Sequence, residues 1–257
     1  MRKGPRVAKT FTRYGVSLLL VQALLACSPQ TPDTQGGAGA GNNAAAALSN
    51  TANGPDARSA PVADRKLVVV FGDSLYAGYN LGPREGFAPV LERALGGQGV
   101  PAQVVNAGVS GDTTAAGRQR LAFTLDGLER KPDLVIVGLG GNDMLRGLEP
   151  KETRANLDAI LAELQKRGIP IMLTGMVSAP NMGADYAKAF DPIFTDLAKK
   201  YDAPLYPFFL DGVIGNRTLM LPDGIHPNPQ GVETIVGRVG PLVAGVLKGE
   251  GSRGTES

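Results

Sequence analysis

Between residues 64 and 248, short apolar runs alternate with longer stretches in which apolar residues recur every three or four positions. The runs at 66–71 (KLVVVF), 102–106, 133–137 and 170–174 are continuous β-branched or apolar segments without in-out alternation. That is the pattern of strands buried on both faces. A weaker fifth run lies at 203–206. Helical spacing fills the gaps at 87–95, 113–128, 153–165, 186–200 and 231–247, and Leu157, Ile160, Leu161 and Leu164 share one face of the third of these. Strand followed by helix, repeated five times, supplies the crossovers that parallel strands need. The expected fold is α/β, a three-layer α/β/α sandwich with a central five-stranded parallel sheet, without internal repeat or break after residue 64.

The N-terminal 63 residues do not fit this pattern. Arg2, Lys3, Arg6, Lys9 and Arg13 come without any acid and precede the apolar run 16–26 (VSLLLVQALLA), which falls short of the roughly 20 residues that span a bilayer. A cationic start followed by a short apolar run is the layout of an export signal. The run closes on Leu24, Leu25, Ala26 and Cys27, which resembles the bacterial lipobox, where the Cys becomes the lipidated first residue of the mature protein. Cys27 is the chain's single Cys and is poorly placed for a core. Residues 28–63 are mostly Ala, Gly, Asn, Thr, Pro and Gln, too poor in large apolar groups to offset their ordering entropy. The expected organisation is a lipoprotein signal peptide at 1–26, a lipid-anchored flexible linker at 27–63, a folded domain at 64–248 and a disordered tail at 249–257. A lipid-anchored position in a bacterial cell envelope follows, at the periplasmic or outer-membrane face.

Charge then narrows the partners. The formal net charge is +2, but removing residues 1–26 leaves 21 basic against 24 acidic residues. No basic nucleic-acid footprint remains. One His and one Cys cannot furnish a zinc shell, and the acids lack EF-hand spacing. The stretch Gly138-Leu-Gly140-Gly141 departs from the dinucleotide fingerprint because position 143 is Asp. Neither metal nor cofactor is expected, and a monomer is.

In open α/β sheets, reactive groups gather beyond the carboxyl ends of the strands. The loops there carry Gly72-Asp73-Ser74-Leu75, Ser110-Gly111-Asp112-Thr113, and Gly140-Gly141-Asn142-Asp143, with Asp223-Gly224-Ile225-His226 further downstream. Acyl transfer needs a hydroxyl nucleophile, a base that titrates near neutrality, an acid to orient it, and donors for the developing oxyanion. His226 is the only His and so the only imidazole base available. Asp223, three residues earlier in a Pro- and Gly-rich turn, can hold one ring nitrogen while the other faces the nucleophile. Ser74 follows a buried strand at a strand-to-helix turn. The segment Gly72-x-Ser74-x-Tyr76 lacks the second Gly of the α/β-hydrolase elbow, and that family places its acid far from its His.

Taken in order, Gly72-Asp73-Ser74-Leu75, Gly111, Gly141-Asn142-Asp143 and Asp223-x-x-His226 resemble the four blocks of the SGNH (GDSL) hydrolases. Within that superfamily the chain is similar, from about Leu67 to Val246, to the bacterial thioesterase I, protease I and lysophospholipase group, also known as arylesterases. The resemblance implies the flavodoxin-like SGNH hydrolase fold and hydrolysis of a small acyl ester, thioester or lysophospholipid. It implies a triad of Ser74, Asp223 and His226, and an oxyanion hole of the Ser74 and Gly111 backbone NH groups with the Asn142 side-chain amide. It also implies that 143–148 moves on acyl-chain binding. Substrate-facing positions are expected at Asp73, Asp143, Met144, Leu145, Met176 and Met182.

Each residue also has a plainer reading. Gly-Asp-Ser is common in turns, where Asp and Ser satisfy local backbone groups. Asp73 can serve to stabilise the turn, Asn142 can occupy a left-handed or capping position, and Asp143 can cap a helix. Two other functions stay open at this point: a carbohydrate O-deacetylase of the envelope, and a surface lipoprotein that binds lipid through a disused site.

Overall fold

The computed structural model describes residues 64–250. The signal segment 1–26, the linker 27–63 with Cys27, and residues 251–257 lie outside the described residues.

Five strands, β1 (Lys66–Gly72), β2 (Ala102–Gly108), β3 (Leu134–Gly138), β4 (Ile171–Thr174) and β5 (Leu205–Tyr206), form one sheet in the order β2-β1-β3-β4-β5. All neighbours pair in parallel. Alternation along β1 divides the core. Val68 and Val70 face a cluster with helices α2 (Phe87–Gly97) and α8 (Pro229–Lys248). Val69 and Phe71 face another with α3 (Thr114–Asp126), α5 (Pro150–Lys166), α6 (Ala184–Phe190) and α7 (Pro192–Tyr201). Each large aliphatic side chain buried this way adds roughly 1.5–3 kcal/mol, which is why β1, β3 and β4 carry no polar alternation. The run at 102–106 departs from the expected burial on both faces: β2 is an edge strand, only partly buried, with Gln103 and Asn106 on it. The α/β sandwich expected from the pattern is the fold observed.

The stretch 186–200 expected as one helix is two. Pro192 has no N–H to donate and sits at the first turn of α7, so the chain restarts there after Asp191. Prolines likewise set the starts of α5 at Pro150 and α8 at Pro229, before the expected boundaries. Two short helices, α1 (Ser74–Ala77) and α4 (Gly141–Leu145), escaped the periodicity, since one turn shows no recurrence.

Because the chain steps from β1 outward to β2 and then returns to β3 on the other side, its direction of winding reverses at β1. The loops after β1, β2 and β3 therefore open on a shared crevice. A row of glycines in register, Gly108, Gly72 and Gly138, closes the ends of β2, β1 and β3 there. A Cβ at Gly72 or Gly138 would lie within 2.1 Å of the Tyr76 side chain, and one at Gly108 2.3 Å from the Ala77 nitrogen. Only without those carbons can α1 lie across the sheet end. Tyr76 then fills the space beneath, stacked on Phe209 at 4.6 Å and hydrogen-bonded to the Thr174 hydroxyl.

Candidate active site

Ser74 is the first residue of α1, so its N–H lies outside the intrahelical ladder and is open to an incoming acceptor. Asp73 caps the same turn, its Oδ1 accepting the Leu75 N–H at 3.1 Å. The Asp73 carboxyl is only 3% exposed, and burial pushes its pKa up to about 6 against the pull of the Leu75 N–H and the charge of His226.

Asp223 and His226 arrive from the turn before α8. An antiparallel bridge between Met220 and Pro227 pins that turn, the Leu221 N–H donating to the His226 carbonyl at 2.7 Å. Inside it, Asp223 Oδ1 accepts the Ile225 and His226 backbone N–H groups at 2.9 and 3.0 Å. Oδ2 faces His226 Nδ1 at 2.7 Å. Burial opposes ionisation of Asp223, but the His226 and Ile225 N–H groups and the imidazole outweigh it and bring its pKa down to about 2. A carboxylate so held selects the tautomer with the proton on Nδ1, leaving Nε2 to accept the Ser74 Oγ–H at 2.8 Å. Tyr79, which the sequence reading passed over, lies on the imidazole with ring centroids 4.4 Å apart.

Two further donor candidates lie in the loops after β2 and β3. Gly111 takes φ of 85° after β2, and none of the backbone hydrogen bonds of that loop uses its N–H. Asn142, in the first turn of α4, directs Nδ2 to the Asp112 carbonyl at 3.0 Å and, more loosely, to Asp73 Oδ2 at 3.4 Å.

Between the loops after β1, β3 and β4 and the turn carrying His226 is a cavity of about 580 Å³. Ser74, His226, Asn142 and Asp73 border it, and Met144, Leu145 and Met176 give it an aliphatic wall. Phe208, Ile214 and Ile225, not singled out by sequence reasoning, add to that wall; no motif marks them, because their positions depend on how the final loop folds.

Two expected pocket residues lie elsewhere. The Asp143 carboxylate is 1% exposed and points to the opposite side of α4, where it accepts the Thr114 N–H at 2.8 Å and the hydroxyls of Thr114 and Thr153. It closes the N-terminus of α3 and does not line the cavity. Met182 packs against the α5 and α7 side of the core instead of lining the cavity.

Among the described residues, no group of three or more His, Cys, Asp or Glu side chains gathers as a metal cluster would, and no helix is long and apolar enough to cross a membrane. What the crevice holds is an alcohol bonded to an imidazole, a carboxylate behind the imidazole, and an apolar cavity beside them, the parts of a serine acyl-transfer site.

The model of the GDSL-like lipase/acylhydrolase family matches residues 70–233. The chain belongs to that family. Its relatives include esterase TesA of Pseudomonas aeruginosa, 39% identical over 63% of this chain and 80% of that protein. Thioesterase 1/protease 1/lysophospholipase L1 of Escherichia coli (strain K12) is 38% identical over 63% of this chain and 75% of its own length. Among solved structures, the crystal structure of AlinE4, an SGNH-hydrolase family esterase, is 52% identical, covers 71% of this chain and 97% of its own, and superposes with a TM-score of 0.61. This GDSL-family chain is accordingly an esterase of the SGNH type, and its substrates are small esters or lipids.

Proposed function

We propose that Ser74 is the nucleophile of this esterase, His226 its general base and Asp223 the residue that orients the base. Ser74 Oγ attacks the acyl carbon as His226 Nε2 takes the hydroxyl proton, and the tetrahedral oxyanion is held by the Ser74 and Gly111 N–H groups and Asn142 Nδ2. On collapse, the carbon–oxygen or carbon–sulfur bond to the leaving group breaks and His226 returns its proton to that group. An acyl-Ser74 ester remains. Water, deprotonated by the same imidazole, adds to the acyl carbon, and the bond to Ser74 Oγ breaks as His226 returns that proton to Oγ, freeing the carboxylic acid. The reading rests on the hydrogen-bonded line from Asp223 Oδ2 through His226 to Ser74 Oγ, 2.7 and 2.8 Å, at the edge of an apolar cavity.

The apolar wall of Met144, Leu145, Met176 and Phe208 suits the acyl chain of an ester, thioester or lysophospholipid better than an acetylated sugar, whose hydroxyls would be left without partners there. Ser74→Ala should remove turnover of a p-nitrophenyl acyl ester while the protein stays folded. Activity within twofold of the parent would strike Ser74 from the mechanism.

The position of the enzyme is part of the same proposal. With Cys27 lipidated, the domain would work as a monomer beside a bacterial envelope membrane. Growth with a labelled fatty acid should mark the wild-type chain and not Cys27→Ser. Equal labelling of the two would dismiss the anchor.

A further inference from the structure

The mechanism needs three donors from three different loops to keep their spacing to within a fraction of an ångström, and of the residues assigned to it only Asn142 ties one loop to the others, through the Asp112 carbonyl and Asp73. One side chain outside the active site touches what joins them. Arg120, in the second turn of α3, runs back along the sheet with its guanidinium carbon 4.0 Å from the centre of the Phe71 ring. Its Nη2 donates to the Gly72 carbonyl at 3.0 Å, two residues before Ser74. Its Nε donates to Asp112 Oδ2 at 2.5 Å, one residue after Gly111.

From there the connections reach every donor. The Gly72 carbonyl also accepts the Val109 N–H at 3.0 Å, and the Asp112 N–H closes back on Val109 at 3.1 Å, so the Gly111 turn is hung from the end of β1. The Asp112 carbonyl in turn accepts Asn142 Nδ2 at 3.0 Å. Both ionic side chains are largely withdrawn from solvent, Arg120 at 20% and Asp112 at 11% exposure. Such a pair is screened less than a surface ion pair, and the planar fork meets two acceptors in a fixed geometry.

We propose that Arg120 is a positioning residue for the oxyanion hole, setting the spacing of Ser74, Gly111 and Asn142 through Asp112 and Gly72 without touching substrate. This rests on the assignment of those three residues as the donors. A ground-state carbonyl needs the hole less than the tetrahedral oxyanion does, so a loosened hole lowers kcat and leaves KM nearly alone.

The test uses the full-length chain with p-nitrophenyl butyrate, measuring kcat, KM and thermal unfolding for Arg120→Met, Asp112→Asn and the double variant. Met keeps a stem against Phe71, and Asn keeps the shape of Asp112 without its charge. Each single variant should lose about 10- to 100-fold in kcat, the size expected when catalytic groups shift by up to an ångström, with KM within twofold. The double variant should be no worse than the more damaged single, because both break one tie. Arg120→Lys, which keeps the charge and one hydrogen bond, should recover part of the loss. An unchanged kcat in folded Arg120→Met, a change confined to KM, or losses that multiply in the double variant would overturn the proposal. If Arg120→Met does not fold, Asp112→Asn decides alone, unchanged kcat counting against the tie. Ser74→Ala run in parallel keeps the two ideas apart: residual turnover there would fault the active-site assignment and not the role of Arg120.

Discussion

Asp223 and Asp73 are carboxylates placed on two sides of the same serine and pushed in opposite directions. Asp223 receives two backbone N–H groups and an imidazole and stays ionised down to about pH 2. Asp73 is enclosed, and burial raises its pKa to about 6. The folded protein therefore holds the Asp73 proton more tightly than the unfolded chain, so the contribution is full below the unfolded value of 3.8 and is lost as pH rises through about 6. Asp73→Asn, whose amide oxygen can still accept the Leu75 N–H, should remove that slope. In thermal unfolding from pH 4 to 7, the wild type should lose stability relative to the variant by on the order of 2–3 kcal/mol. Parallel curves would mean that Asp73 titrates as an ordinary carboxyl. At this scale much of the site could be read from the chain, because a single His leaves one imidazole base and Asp223 is its neighbour in sequence. Asp143 could not be placed. Successive residues on a helix point about 100° apart, so Asn142 turning toward Ser74 sends the next carboxylate into the Thr114 and Thr153 hydroxyls.

Elements place these residues, and the shortest ones matter most. Helix α1 is four residues long, too short to be stable by itself, and is held by what lies beneath it. Gly72 and Gly138 leave room for the Tyr76 ring, and that ring fixes the turn that presents Ser74. Gly138→Ala would set a methyl group about 2.0 Å from Tyr76 Oη, so Tyr76 and α1 must shift. The expected result is a loss of roughly 1–3 kcal/mol by denaturant unfolding, the cost of overpacking, together with reduced esterase turnover. Wild-type stability and activity in that variant would show that α1 does not depend on the glycine row. The sequence disclosed the strands and long helices because apolar recurrence over many positions averages out local exceptions. It hid the break at Pro192, where helical spacing runs on across two separate helices, and it hid α4, which shows a single turn.

For the molecule as a whole, strand order is what turns dispersed motifs into one site. With β1 between β2 and β3, the loops bearing Ser74, Gly111 and Asn142 become neighbours at one end of the sheet, and the turn before α8 brings Asp223 and His226 over them. That convergence was legible as an expectation from the βα alternation. The lining of the cavity by Phe208, Ile214 and Ile225 was not, since it depends on loops with no period of their own. Treatment with a fluorophosphonate, followed by peptide mass spectrometry of the wild type and of His226→Ala, puts the central claim to its most direct test. The assignment predicts one phosphonyl group, on Ser74, formed rapidly in the wild type and far more slowly without the imidazole. A modified residue elsewhere, or equal rates in the two proteins, would contradict it.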